Sequence, residues 1–244
     1  MKQKQAKRGR PKAKSRTHGS LAAKYKQREG EFPDAFRDRM RRAISWVERA
    51  EEERGKTNPD PYAAVVFYWI AFNAAYGIRE PGPKSEDSRK VFHRFFEKIV
   101  ELDEINGLDR IYNVVWDKYN GPIRTLLDNY YVFMPFWKHQ HGDPEHADWE
   151  MKFKRSKAVA LGCLTRKNTV CVLSVVFDRL YVLRNQIMHG EATWRDIKTD
   201  ETRRPQVQDG ERILSALVPI FIDIMMDHPK NRIWGRSNYP VIQR

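Results

Sequence analysis

Arg184, Asn185 and His189 are the residues of this chain whose types and spacing best suit a reaction. A guanidinium can clamp two phosphoryl oxygens in a fork, and an imidazole exchanges protons near neutral pH. With an asparagine between them, the set suits phosphate chemistry. Asp178 and Tyr181 are auxiliary candidates, because a helical projection puts them on one polar face with Asn185 and His189. The competing reading of Asp178 and Tyr181 is an ordinary solvated helix face.

A helix has to position these groups. At ~100° per residue, Leu173, Val176, Phe177, Leu180, Leu183 and Ile187 form one apolar stripe over about Thr169–Met188. Arg184 falls within that stripe, where a guanidinium is costly unless it is paired or meets a protein interface. Gly190 is a natural stop, so His189 is expected at the helix end.

The rest of the chain reads as helix as well. Apolar spacing predicts helices over about residues 34–54, 62–76, 85–102, 108–119, 149–164 and 207–226, with the chain restarting at Gly121-Pro122 towards Tyr131. Residues 62–76 are apolar almost all round, which marks a central buried helix too short to span a membrane. The aromatic and then polar stretch 132–146 reads as a loop or irregular insert. Period-two alternation is scarce, so the fold class is all-α, a helical bundle with a disordered basic N-terminal tail. The expected organisation is a tail over residues 1–30, a helical domain over 31–230 and a C-terminal extension over 231–244.

The net charge of +13 is concentrated in that tail. Residues 1–28 hold eleven Lys or Arg and no acid, so 13 − 11 leaves about +2 for the remainder. Such a segment cannot offset its ordering entropy and binds polyanions through counterion release. Lys7, Arg8, Arg10, Lys12 and Lys14 are the cations expected to contact nucleic acid. The string Arg8-Gly9-Arg10-Pro11 resembles the core of an AT-hook, which lies in narrow A·T minor grooves.

Arg184-Asn185-Gln186-Ile187-Met188-His189 resembles the motif of the HEPN family, helical nucleotide-binding and ribonuclease domains marked by Arg, a polar residue, a short spacer and His. The apolar helix from Trp69 to Tyr76 looks like the early helix of bacterial members. The resemblance spans about residues 34–228 and implies a HEPN-like bundle and metal-independent RNA cleavage without a cofactor. It implies that His189 moves the proton of a ribose 2′-hydroxyl or of the leaving oxygen, that Arg184 stabilises the transition state, and that Asn185 orients the histidine or the phosphate. It further implies a homodimer with two facing motifs, a toxin or phage-defence role, and an antitoxin as partner. The rival reading is a non-catalytic DNA- or RNA-binding protein that works through its tail and dimerises through its helices.

His139, His141 and His146 with Asp143 and Glu145 form a possible metal set, but no strict spacing supports it and a polar surface loop is preferred. Tyr130, Tyr131, Phe133, Phe136 and Trp137 are able to stack bases, with core packing as the preferred reading. Trp194-Arg195 lies where a substrate groove or a connecting loop would be. Cys163 and Cys171 read as buried thiols in a reducing compartment. No phosphate-binding glycine loop or dinucleotide fingerprint is present, which disfavours an ATPase or dehydrogenase. No transmembrane or secretion segment is expected, so the expected address is the cytoplasm, with nucleoid association if the tail holds DNA.

Overall fold

The computed structural model describes residues 16–77, 88–105, 107–191, 197–230 and 234–235. The first helix, α1 (His18–Arg28), begins inside the segment expected to be tail. Thr17 and Ser20 open it with a reciprocal capping box: the Ser20 N–H donates to Thr17 Oγ1 and the Thr17 N–H to Ser20 Oγ. Leu21 is its one fully buried side chain, so apolar burial alone holds α1 weakly. Charge pairing does more. Lys24 reaches Asp223 and Asp227 at 2.7 Å each, Arg16 reaches Asp223 at 2.7 Å, and Arg28 donates to the Met226 carbonyl at 2.8 Å.

Behind those contacts Arg110, 4% exposed, donates to Asp103 at 2.8 Å, Asp223 at 2.5 Å and Asp227 at 3.0 Å. Burial works to raise the Asp223 carboxyl, but Lys24 and Arg16 overcome it and hold the group below the usual carboxylate range. Two corrections follow. Residues 16–28, read as tail, belong to the described fold, and Arg16, Lys24 and Arg28 are internal counterions rather than tail cations. Lys7, Arg8, Arg10, Lys12 and Lys14, and with them the AT-hook-like string, lie outside the described residues.

The core is built on α2 (Asp34–Arg54) and α3 (Pro61–Tyr76), which pack on each other. Asp60 caps α3 by accepting from the Tyr62 and Ala63 N–H groups, and Pro61 occupies the first helical position. Phe72 then sits at the centre of an aromatic cluster with Phe177 at 4.6 Å and Tyr76 at 4.4 Å. There follow α4 (Ser88–Ile105), the single turn α5 (Arg110–Tyr112) and a π-helical turn, Asn113–Lys118. One continuous helix was expected over this last stretch. Asp109 in the left-handed region and Asp103, which accepts the Ile111 N–H at 2.8 Å, set a new start instead.

The remaining helices are α6 (Asn120–Leu127), α7 (Met134–Gln140), α8 (Trp149–Thr165), α9 (Thr169–Met188) and α10 (Ile197–Asp227). The last touches α1, α2, α3, α4, α6 and α9 and so forms the spine of the bundle. Residues 132–146, read as loop, include α7, which starts at Met134-Pro135 with proline in the first turn. The C-terminal extension also joins the body: Trp234 is buried and donates to the His228 carbonyl at 2.6 Å, and the Gly235 carbonyl accepts from buried Arg39 at 3.1 Å.

Cys163 and Cys171 are joined in a disulfide, which corrects the free-thiol reading. The tight turn between α8 and α9 places the end of one helix beside the start of the next, with the two Cα atoms 5.9 Å apart. Among the described residues every regular element is helical and none is a strand. No helix there is long and apolar enough to cross a membrane.

Candidate functional site

The candidate site is the last turn of α9. Asn168 opens this helix by accepting the Cys171 N–H at 3.0 Å, and Val172, Leu173, Val176, Phe177, Leu180 and Leu183 anchor it in the core. It packs closely on α10 at Gly210, where an added Cβ would lie 2.8 Å from Leu183 Cδ2. Arg184 therefore follows directly on a tightly packed position.

The helix ends as the sequence predicts, and its hydrogen bonds show how. The Glu191 N–H donates to the Gln186 carbonyl at 2.9 Å and the Gly190 N–H to the Ile187 carbonyl at 3.3 Å, with Gly190 at φ +72°. This is a Schellman stop, which needs a left-handed residue and so favours glycine. His189 is left exposed at the C-terminal end, its N–H donating to the Asn185 carbonyl at 2.9 Å.

Arg184 and Asn185 are joined, the guanidinium Nη1 donating to the Asn185 Oδ1 at 2.9 Å. Arg184 is half-buried, not embedded in the apolar stripe. It lies at the edge of that stripe, in the final turns, where even Ile187 is only partly covered. Its charge acts on Tyr76, at the end of α3. Burial pushes the Tyr76 hydroxyl up to about 12, Tyr181 adds to the rise and Arg184 opposes it.

Tyr181 departs from the polar face assigned to it. Its ring packs against Trp69 at 6.1 Å and Phe92 at 6.3 Å, so α3 and α4 partly cover it. Asp178, three residues earlier, is half-buried. The structure thus gathers Arg184 with Asn185, sets the Tyr76 hydroxyl within the electrostatic reach of both Arg184 and Tyr181, and leaves His189 at the rim. Tyr76 was not picked out as a site residue. The signal was its place just before the α3 stop, with a hydroxyl at the end of an otherwise apolar run.

Gln186 was also missed, and it ties the site to a second feature. This buried amide donates to the Tyr131 carbonyl at 2.8 Å, an oxygen that also accepts from Trp137 Nε1 at 2.7 Å. Buried Arg179 on the same helix lies over the Phe133 ring at 4.4 Å and donates to Ser156 Oγ at 3.0 Å. The aromatic insert is thereby fixed to the motif helix. It does not join the main core, which corrects the core-packing reading: Phe133 is buried, but Tyr130, Phe136, Trp137 and Trp149 are half-buried and Tyr131 is 41% exposed.

The histidine group beside the insert is dispersed. His146 pairs with Asp143 at 3.1 Å, and among the described residues no three His, Cys, Asp or Glu side chains converge as a metal set. Trp194 and Arg195 lie outside the described residues. In class, then, the chain is an all-helical bundle with a polar Arg-Asn-His set at one helix end. Compared with known proteins, it matches no family model, no curated protein and no solved structure.

Proposed function

We propose that the chain is a metal-independent endoribonuclease of HEPN type that cleaves RNA through the ribose 2′-hydroxyl. The observation that carries this reading is the joined Arg184–Asn185 pair one turn before an exposed His189, at a helix end fixed by a Schellman stop. Its residue types and spacing also match the motif that the family resemblance rests on.

In the proposed reaction His189 accepts the 2′-hydroxyl proton while the 2′-oxygen attacks phosphorus. The bond from phosphorus to the 5′-oxygen then breaks, leaving a 2′,3′-cyclic phosphate and a 5′-hydroxyl that takes up a proton. The Arg184 guanidinium stabilises the charge that develops on the phosphoryl oxygens, an electrostatic contribution of the kind that mutagenesis puts at about 10²–10³ in rate. Asn185 positions that guanidinium through its amide oxygen. A homodimer that apposes two such helix ends provides one group to take a proton and another to return one. A role in toxicity or phage defence, with an antitoxin to restrain it, belongs to the same proposal.

The test is incubation of purified protein with a mixed RNA pool in EDTA, comparing wild type, Arg184→Ala and His189→Ala. Cleavage leaving cyclic phosphate ends, abolished in both variants, is the expected result. Cleavage that persists in both overturns the site assignment. Intact RNA from folded wild type favours the rival, a nucleic-acid-binding protein that works through its basic tail.

A further inference from the structure

We propose that the aromatic insert is a base-stacking platform for single-stranded RNA, with Tyr131 as the ring on which a base rests. The choice of RNA as occupant rests on the ribonuclease reading; the platform itself rests on the insert's own geometry.

Tyr131 is the most exposed ring of the cluster, and the groups behind it are rigidly built. Tyr130 backs it at 4.3 Å between centroids, with the two hydroxyls 3.1 Å apart. Tyr130 is in turn supported by Phe136 at 5.1 Å and Trp149 at 5.7 Å. The Tyr131 backbone is held at the same time by Gln186 and Trp137. Tyr130 thus packs on the ring, Phe136 meets it edge-to-face at 5.7 Å, and the residue as a whole stays 41% exposed. A preorganised ring of this kind gains stacking energy at small entropic cost, and any base offers the matching face.

The location suits that occupant. Gln186, whose side chain holds the Tyr131 carbonyl, is three residues before His189 on the same helix, so the platform's anchor lies about one helical turn before the reactive group. Lys138, Lys154 and Arg155 are exposed around the insert, while two of its acids are engaged, Asp148 by Lys152 at 2.8 Å and Asp143 by His146 at 3.1 Å. Over residues 134–157 five Lys or Arg face four Asp or Glu, an excess of 5 − 4 = +1. Backbone attraction is therefore weak at this surface, and stacking has to supply most of the affinity. A duplex, with its bases already stacked, gains nothing from such a ring.

The test uses full-length protein carrying His189→Ala, so that RNA is not consumed. Anisotropy with a labelled single-stranded RNA is read at high salt, where attraction to the tail is suppressed. Tyr131→Leu is expected to weaken binding about tenfold, equivalent to about 1.4 kcal/mol and within the range of one stacked base. Tyr131→Phe and Tyr131→Trp are expected to bind within about twofold of the parent on the same stacking grounds, and a duplex of the same sequence should not distinguish the four proteins. Equal binding by the Leu variant overturns the platform. So does a Phe variant as weak as the Leu variant, and so does a contrast seen only with the DNA version of the strand. If wild type never cleaves RNA but the aromatic dependence holds, the platform stands and the catalytic reading falls. If His189-dependent cleavage is found and Tyr131→Leu leaves its KM unchanged, the reverse is true.

Discussion

Two places in this molecule hold clustered charged side chains, and they use them in opposite ways. Where α1 meets α10, Arg16, Lys24, Arg28 and Arg110 are matched to Asp103, Asp223 and Asp227, with Arg110 and Asp223 at most 4% exposed. The cations there are paired with carboxylates of the fold itself, with the Met226 carbonyl also accepting from Arg28. At the end of α9, Arg184 has a neutral amide as partner and His189 is exposed beside it. The first cluster locks an N-terminal helix that has little apolar surface to hold it. The second sits at a helix end, with Arg184 and Asn185 half-buried and His189 exposed. Charged residues that the fold can spare, on a rigid element, are the better candidates for chemistry.

The sharpest way to break this contrast is to exchange the expected effects. His189→Ala should lower RNA cleavage by about 10²–10⁴ while melting stays within about 0.5 kcal/mol of wild type, since the side chain is exposed. A large stability loss would show that the end of α9 is structural after all. Asp223→Ala should do the opposite and cost about 3–5 kcal/mol in denaturant unfolding, because Arg110 would be left buried short of a partner.

Gly190→Ala sits between these extremes. The alanine would be strained at φ +72°, costing about 1 kcal/mol and loosening the turn that presents His189. Both melting temperature and cleavage rate should fall modestly.

The smallest effect is the dependence of stability on pH. Asp223 has a folded pKa below its unfolded one, so its contribution is present above the ordinary carboxylate range and lost as pH falls through the folded value. Stability measured by melting should decline as pH drops below about 4, and Asp223→Asn should decline less over the same window.

Much of this architecture was readable before the structure. Helices 34–54, 149–165 and 169–188 follow from apolar spacing, and the stop at Gly190 from glycine's access to the left-handed region. The failures share a cause, because period and propensity describe apolar burial and say little about partners distant in sequence. Helix α1 was lost in the tail because it is held by carboxylates 199 residues away, as with Lys24 and Asp223. In α7 the aromatic residues make a satellite cluster rather than a periodic stripe. The projection put Arg184 within the apolar stripe, because a projection cannot tell that the bundle no longer covers the helix at its last turns, where the guanidinium is half-buried. Tyr76 and Gln186 gain their meaning from α9 and the insert respectively, which no local pattern conveys.

The most direct test is chemical. A defined RNA that wild-type protein cuts at one position would be compared with the same strand carrying a 2′-O-methyl group at that nucleotide alone. Cleavage through the 2′-hydroxyl at Arg184 and His189 predicts that the modified strand stays intact and still competes for binding, and that His189→Ala cuts neither strand. Cutting of the methylated strand at the same bond would contradict the mechanism and require a different nucleophile.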